Sequence, residues 1–443
     1  MKLSITVIYA SILLSSFSFA SPVGSSNAAR ADKVIDLGTS SGDTVGAAYF
    51  ITNDPDGNFV VSADIGKDGA LTLRQAITTN GFGLHGIVTG PIGPDPLFSQ
   101  GAVKTSQAAG MLATVNSGSN TISIFSINKD DPAKLDPIGE PVSSGGEFPV
   151  SLTFNDAGDV LCALNGGKAN GVSCFKVDKV EGLVPAPETI RSLNLNQTTP
   201  ASGPPNSVSQ VIFSEDNKQL VASVKGVPPT PGFLAVWDVN QDGSLSKEFR
   251  SVAPAQGGVL PFSMNIIPGK KAIFATDPAI GYDIFDFDVQ TLKGTNITSA
   301  GRSSANAVDG QMANCWSSYS PKTGNFYLTD AGNSRVTEVK VDDNLTGTVV
   351  KFRRPGDDSD HRNEQQYEQG QDSSTIDNDI ATVGDKDFMY ILSANATRVD
   401  VLSIDGPAQA QNIQRLDLAG PGKASGLKIS ASNLQGMTTF IKK

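Results

Sequence analysis

Apolar and polar residues alternate in short bursts along this chain, and one burst keeps returning. Residues 111–115 (MLATV) form an apolar run, Asn116-Ser-Gly-Ser-Asn120 is a polar turn, and residues 121–127 (TISIFSI) run back. In the return run Ile122 and Ile124 point one way while Phe125 and Ile127 point the other. A continuously apolar outgoing strand with such a return predicts a hairpin buried between two layers. The phrase recurs as 47–53 with 59–63, 160–165 with 171–177, 220–224 with 233–239, 271–277 with 282–288, 325–330 with 334–339, and 388–393 with 397–403. One such hairpin cannot bury both of its faces, whereas a set of copies packed side by side can.

The outgoing strands end at Asn53, Asn116, Asn165, Val224, Asp277, Asp330 and Ala394, at intervals of roughly 50 to 65 residues. Each unit has three or four short strands between turn residues. The predicted fold is all-β: a seven-bladed propeller of four-stranded antiparallel blades. Ring closure requires the two ends of the chain to share a blade. Residues 34–37 are an orphan strand at one end, and 425–430 and 437–441 read as extra strands at the other. Their meeting is expected to seal an otherwise open edge. The expected organisation is a signal segment at 1–20, a flexible stretch at 21–32, and a single propeller over 33–443. The charged segment 353–374 (RRPGDDSDHRNEQQYEQGQDSS) is read as a solvated loop between blades six and seven, because it has almost no aliphatic residue to bury.

Composition adds to this picture. The chain has 443 residues, with 45 acidic against 34 basic and a formal net charge of −11. No basic stripe is present, which argues against a nucleic-acid partner. The 45 glycines and 25 prolines fit a turn-rich β protein. Lys2, the apolar run to Phe19 and the small residues around Ala20 make a secretory signal. No later stretch approaches a membrane span. The expected location is therefore extracellular, free or at a cell wall, as a soluble monomer. Sequons at Asn196, Asn296, Asn344 and Asn395 fit that route. Of the three cysteines, Cys162 and Cys174 stand on the two arms of one predicted hairpin and are expected to form a disulfide. Cys315 is left over as a core thiol.

Val115-Asn-Ser-Gly-Ser-Asn-Thr-Ile-Ser-Ile-Phe125, Gln210-Val-Ile-Phe-Ser-Glu-Asp-Asn217, Asn314-Cys-Trp-Ser-Ser-Tyr-Ser-Pro321, Leu328-Thr-Asp-Ala-Gly-Asn333 and Ile376-Asp-Asn-Asp-Ile380 resemble the lactonase-type, YVTN-repeat propellers. That family includes 6-phosphogluconolactonases and fungal 3-carboxymuconate cyclases. The similarity is greatest to secreted fungal members, some of them regarded as adhesive glycoproteins. The resemblance implies a central channel worked by a histidine, arginines and a carboxylate, the histidine lying in a Pro-His phrase before an inner strand. Here that phrase reads Pro204-Pro-Asn-Ser-Val-Ser-Gln210, with Asn206 and Ser209 where a histidine is expected. An amide cannot shuttle a proton near neutral pH.

Only two histidines exist. His361 lies in the charged insertion, and His85 on the loop into blade two. Asp54-Pro-Asp-Gly-Asn58 opens like a calcium loop, but its twelfth position is Ile65, so it reads as a turn and no metal is expected. No cofactor motif appears. The candidate catalytic set is Arg302, Asp377 and His85. Gln100, Ser151, Gln210, Asn265, Asn314 and Asn378 on inner strands are candidate ligand contacts. The favoured function is a lactonase-like secreted glycoprotein that binds a small polar ligand or a cell-wall component. The alternatives are an active lactone hydrolase or muconate-type cycloisomerase, or another channel enzyme.

Overall fold

In the computed structural model, residues 33–40, 42–287, 301–350, 366–368 and 373–443 are described. The expected signal and flexible segments, Asn296, His361 and most of 353–374 lie outside them. The described chain forms seven antiparallel sheets, and adjacent sheets pack through their innermost strands in a closed ring. Those strands are Gln435–Ile441, Val103–Ser106, Pro149–Phe154, Val208–Phe213, Met264–Ile266, Asn314–Ser320 and Thr375–Val383, for blades one to seven.

The repeated hairpins are the second and third strands of each blade. In blade two Met111–Asn116 pairs with Thr121–Ile127, joining Asn116 to Thr121. All six residues of the outgoing strand are buried, because blades one and three cover its two faces. Contacts between blades are apolar and close: Phe274 of blade five stacks on Phe326 of blade six with ring centroids 4.4 Å apart. Burying a Val, Leu, Ile, Phe or Met side chain contributes about 1.5–3 kcal/mol, and every blade presents several such apolar residues to its neighbours.

Blade one closes the ring. The strand Gln435–Ile441 supplies its inner edge against Thr44–Ile51, and Val34–Asp36 its outer edge against Leu71–Thr78. Both termini thus seal the same sheet, from opposite edges and without touching. Residues 425–430, expected as a strand, follow the short helix Ala419–Ser425 and do not pair. The helix stops at Gly426, whose φ of 74° is costly for a residue with a Cβ. The inner strand of blade two begins only at Val103, which leaves residues 95–101 free for another role. The outer strand of blade six comes in two pieces, Gly347–Val349 and Gln366–Glu368, both paired to Arg335–Val341. Residues 366–368 of the charged segment thus belong to blade six.

Cys162 and Cys174 face each other across two neighbouring strands and are joined. The bond closes a loop of sequence separation 12. Replacing both by serine is expected to lower stability by about 2–3 kcal/mol through the freed entropy of the unfolded chain. The midpoint of urea unfolding measures it, and an unchanged midpoint would show that the hairpin is held without the bond.

Candidate functional site

The face of the ring that carries the turns between second and third strands also carries the connections between blades. At this face the inner strands begin, and five of the seven slip register there: between Tyr49 and Ile51 against the closing strand, and after Pro149, Val208, Asn314 and Thr375. A bulge adds a residue without a partner and re-aims its side chain. The slips fall at Val150, Ser209 and Gln210, Cys315, Asp377 and Gly436, and so gather these residues at the mouth of the axis.

Most of the candidate ligand contacts are stitches between blades. The Gln210 Oε1 of blade four accepts from the Met264 N–H of blade five at 2.5 Å. Asn265 donates to the Ser317 hydroxyl of blade six at 2.8 Å, and Ser318 donates to the Asn378 amide oxygen of blade seven at 2.5 Å. Asp379 of blade seven accepts from Thr439 N–H of blade one at 2.8 Å, and Thr105 of blade two donates to the Thr439 carbonyl at 2.7 Å. The Ser151 hydroxyl donates to the Gln100 carbonyl and accepts from the Val211 N–H, linking blades two, three and four. The circuit is complete. These residues do bond polar groups at the channel, but their partners belong to the neighbouring blade. Such bonds are each worth about 1 kcal/mol net and fix the blades' relative position.

Residues 95–101 lie across the mouth. The Ser99 carbonyl accepts from Trp316 Nε1 of blade six at 2.8 Å and from Gln435 Nε2 of blade one at 3.0 Å, and its hydroxyl donates to Val150 O of blade three. The Gln100 side chain closes a pair of bonds with the Ser317 backbone, 2.9 and 3.1 Å, and its N–H donates to Ser209 O of blade four. The Phe98 carbonyl accepts from Lys225 Nζ at 2.6 Å. Asp95 and Phe98 hold φ values of 65° and 56°, and the Asp95 carboxylate accepts from the Ser99 N–H. The segment is thus a plug tied to blades one, three, four and six.

Under the plug lies a cluster of buried ionisable groups. Lys225, 2% exposed, donates to Phe98 O and to Val208 O at 2.9 Å and stands 4.5 Å from the Phe262 ring centroid. Burial pushes its ammonium down and the Asp95 carboxyl up, and the two charges partly offset this for each other. Asp377 is fully buried. Its Oδ2 accepts from Gln435 Nε2 and Gly436 N–H at 2.5 and 2.8 Å, and its Oδ1 has no donor opposite. Burial raises its carboxyl to about 7. Cys315, partly exposed, is the free thiol of the chain, and desolvation pushes it well above the ordinary range.

The candidate catalytic set does not converge. Asp377 is at the axis. His85 is on the loop above it, each ring nitrogen against a backbone carbonyl, Gly86 O at 2.7 Å and Gly93 O at 3.0 Å, so neither faces a substrate. It packs edge-on against Phe98 of the plug. Arg302 sits on the connection between the third and fourth strands of blade five, bound to Asp286 at 3.0 Å and half exposed. Asn314 is fully buried with neither amide atom bonded. Asp95, Lys225, Trp316 and Gln435 were not singled out from the sequence. Lys225 alone carried a signal: a lysine directly after the apolar Leu220-Val-Ala-Ser-Val224, where blades two, three, five and six end on Asn or Asp.

No protein-family model matches this sequence, and no curated protein is similar to it at the sequence level. Solved structures are similar in fold. A putative 6-phosphogluconolactonase from Bacteroides fragilis superposes with a TM-score of 0.57 at 14% identity, covering 91% of this chain and 99% of that one. The periplasmic gluconolactonase of Pseudomonas aeruginosa gives 0.56 at 14% identity, covering 85% and 97%. A putative 6-phosphogluconolactonase from Bacteroides uniformis gives 0.57 at 12%, also covering 85% and 97%. The likeness, with the seven sheets in a ring, establishes the seven-bladed propeller as the fold.

Proposed function

We propose that this chain is a secreted, glycosylated propeller that binds an extracellular or cell-wall component, with its axis serving as a structural hub. The plug carries this reading: a segment of the chain itself occupies the channel mouth, and the acids and most of the amides there are spent on it or on neighbouring blades. A lactonase needs an acid or base within reach of a substrate carbonyl, and the axial carboxylates here are enclosed. Asn196, on an irregular stretch, and Asn344 and Asn395, in turns, are exposed, as acceptors of glycans must be, and the disulfide suits an oxidising compartment.

The test is a lactone-hydrolysis assay on the purified secreted protein with sugar lactones and muconolactones, beside sedimentation with isolated cell-wall polysaccharide. The expected result is co-sedimentation without turnover. Hydrolysis that Asp377→Asn abolishes and Arg302→Ala retains would overturn the reading in favour of an enzyme whose plug opens.

A further inference from the structure

A second concavity lies away from the axis. On the opposite face, where the turns between first and second strands emerge, a groove of about 750 Å³ runs between blades four and five. Its floor is apolar: Val221 and Ile273 are buried members of the core between these blades, and Ile266 and Phe287 pack against it while staying partly exposed. Arg250 stands on the outer strand of blade four directly opposite Val236, which belongs to that same core. Paired residues share a face, so Arg250 is turned towards blade five and the groove.

The charges around the groove are unequally engaged. Glu215 accepts from the Gly269 N–H at 2.9 Å, Asp238 from the Gln219 amide at 3.2 Å, and Asp216 from the Ser214 hydroxyl at 2.8 Å. Lys270 is paired with Asp343 at 2.9 Å. Arg250 is half-buried, and its guanidinium has no hydrogen bond or ion pair among the described residues. A guanidinium held over an apolar floor with none of the groove's carboxylates paired to it is matched by a ligand that brings both a carboxylate and a hydrocarbon body. The groove also falls within the usual size range of small-molecule sites.

We infer that this groove binds a small organic carboxylate with an apolar ring, the carboxylate on Arg250 and the ring on Phe287 and Ile266. The site is independent of the axis and of whether the axis turns over a lactone. Isothermal titration of the full chain with 1-naphthoate, and with 1-naphthalenemethanol as its uncharged counterpart, tests it. Saturable binding of the naphthoate is expected, weaker by about tenfold or more for the alcohol and for Arg250→Gln, the loss of one charge-assisted bond. Arg250→Lys should recover part of the affinity, added salt should lower it, and Asp377→Asn at the axis should leave it unchanged. Absence of saturable binding, equal affinity for acid and alcohol, or an unaffected Arg250→Gln variant would each overturn the inference.

Discussion

Replacing Lys225 by methionine is expected to destabilise the protein by about 3–5 kcal/mol, the largest loss from any single substitution at the axis. Methionine keeps most of the side-chain volume, so the effect does not come from a cavity. It comes from two buried carbonyls, Phe98 O and Val208 O, that lose their donor, and from Asp95, which loses the cation that offsets its own burial. Each carbonyl left without a partner costs about 1–3 kcal/mol. The midpoint of urea unfolding at neutral pH reads the loss. Because Phe98 belongs to the plug, the plug should also loosen in the folded state, with faster amide exchange at Ser99 and Gln100 than in the wild type. Adding Asp95→Asn to the variant should recover part of the stability by removing the stranded carboxylate. A Lys225→Met protein within about 1 kcal/mol of wild type would show that the plug is held by its other anchors.

The blades were legible because the second and third strands of each are buried on both faces, and such strands must be apolar whatever their neighbours are. Cys162 and Cys174 were legible for a related reason, since a symmetric hairpin leaves little choice of register. The plug was not. Residues 94–96 read Pro-Asp-Pro, a pattern shared by many surface loops, and nothing local in it shows that the next five residues cross an axis built from blades far away in sequence. The bulges escaped for the same reason: a slip of register is set by what a side chain must reach, as Gln210 must reach Met264. Arg302 belongs to the candidate catalytic set, but its connection follows the third strand of blade five and so emerges on the other face, at Asp286.

Substituting Asp377 by asparagine is expected to change how stability depends on pH more than it changes stability itself. Burial raises the Asp377 carboxyl from 3.8 to about 7. Between those values the folded protein keeps a proton that the unfolded chain has released. Stability from this group is therefore greatest below about pH 4, falls as pH rises towards 7, and is level above that. The slope is at most about 1.4 kcal/mol per pH unit, which amounts to a few kcal/mol over the window. Asparagine has no proton to lose. Its amide oxygen can still accept from Gln435 and Gly436, and its NH₂ falls where Oδ1 already lacks a donor. The variant should thus lie within about 1 kcal/mol of wild type near pH 4 and exceed it by a few kcal/mol near pH 8. Urea unfolding of both proteins at several pH values gives the difference directly, and the contributions of all other groups largely cancel in it. A difference that stays flat with pH would mean that Asp377 is ionised in the folded state, with a donor or solvent path at Oδ1. The axis would then be open enough for acid–base chemistry, so the same titration that tests burial also weighs the hub against the enzyme.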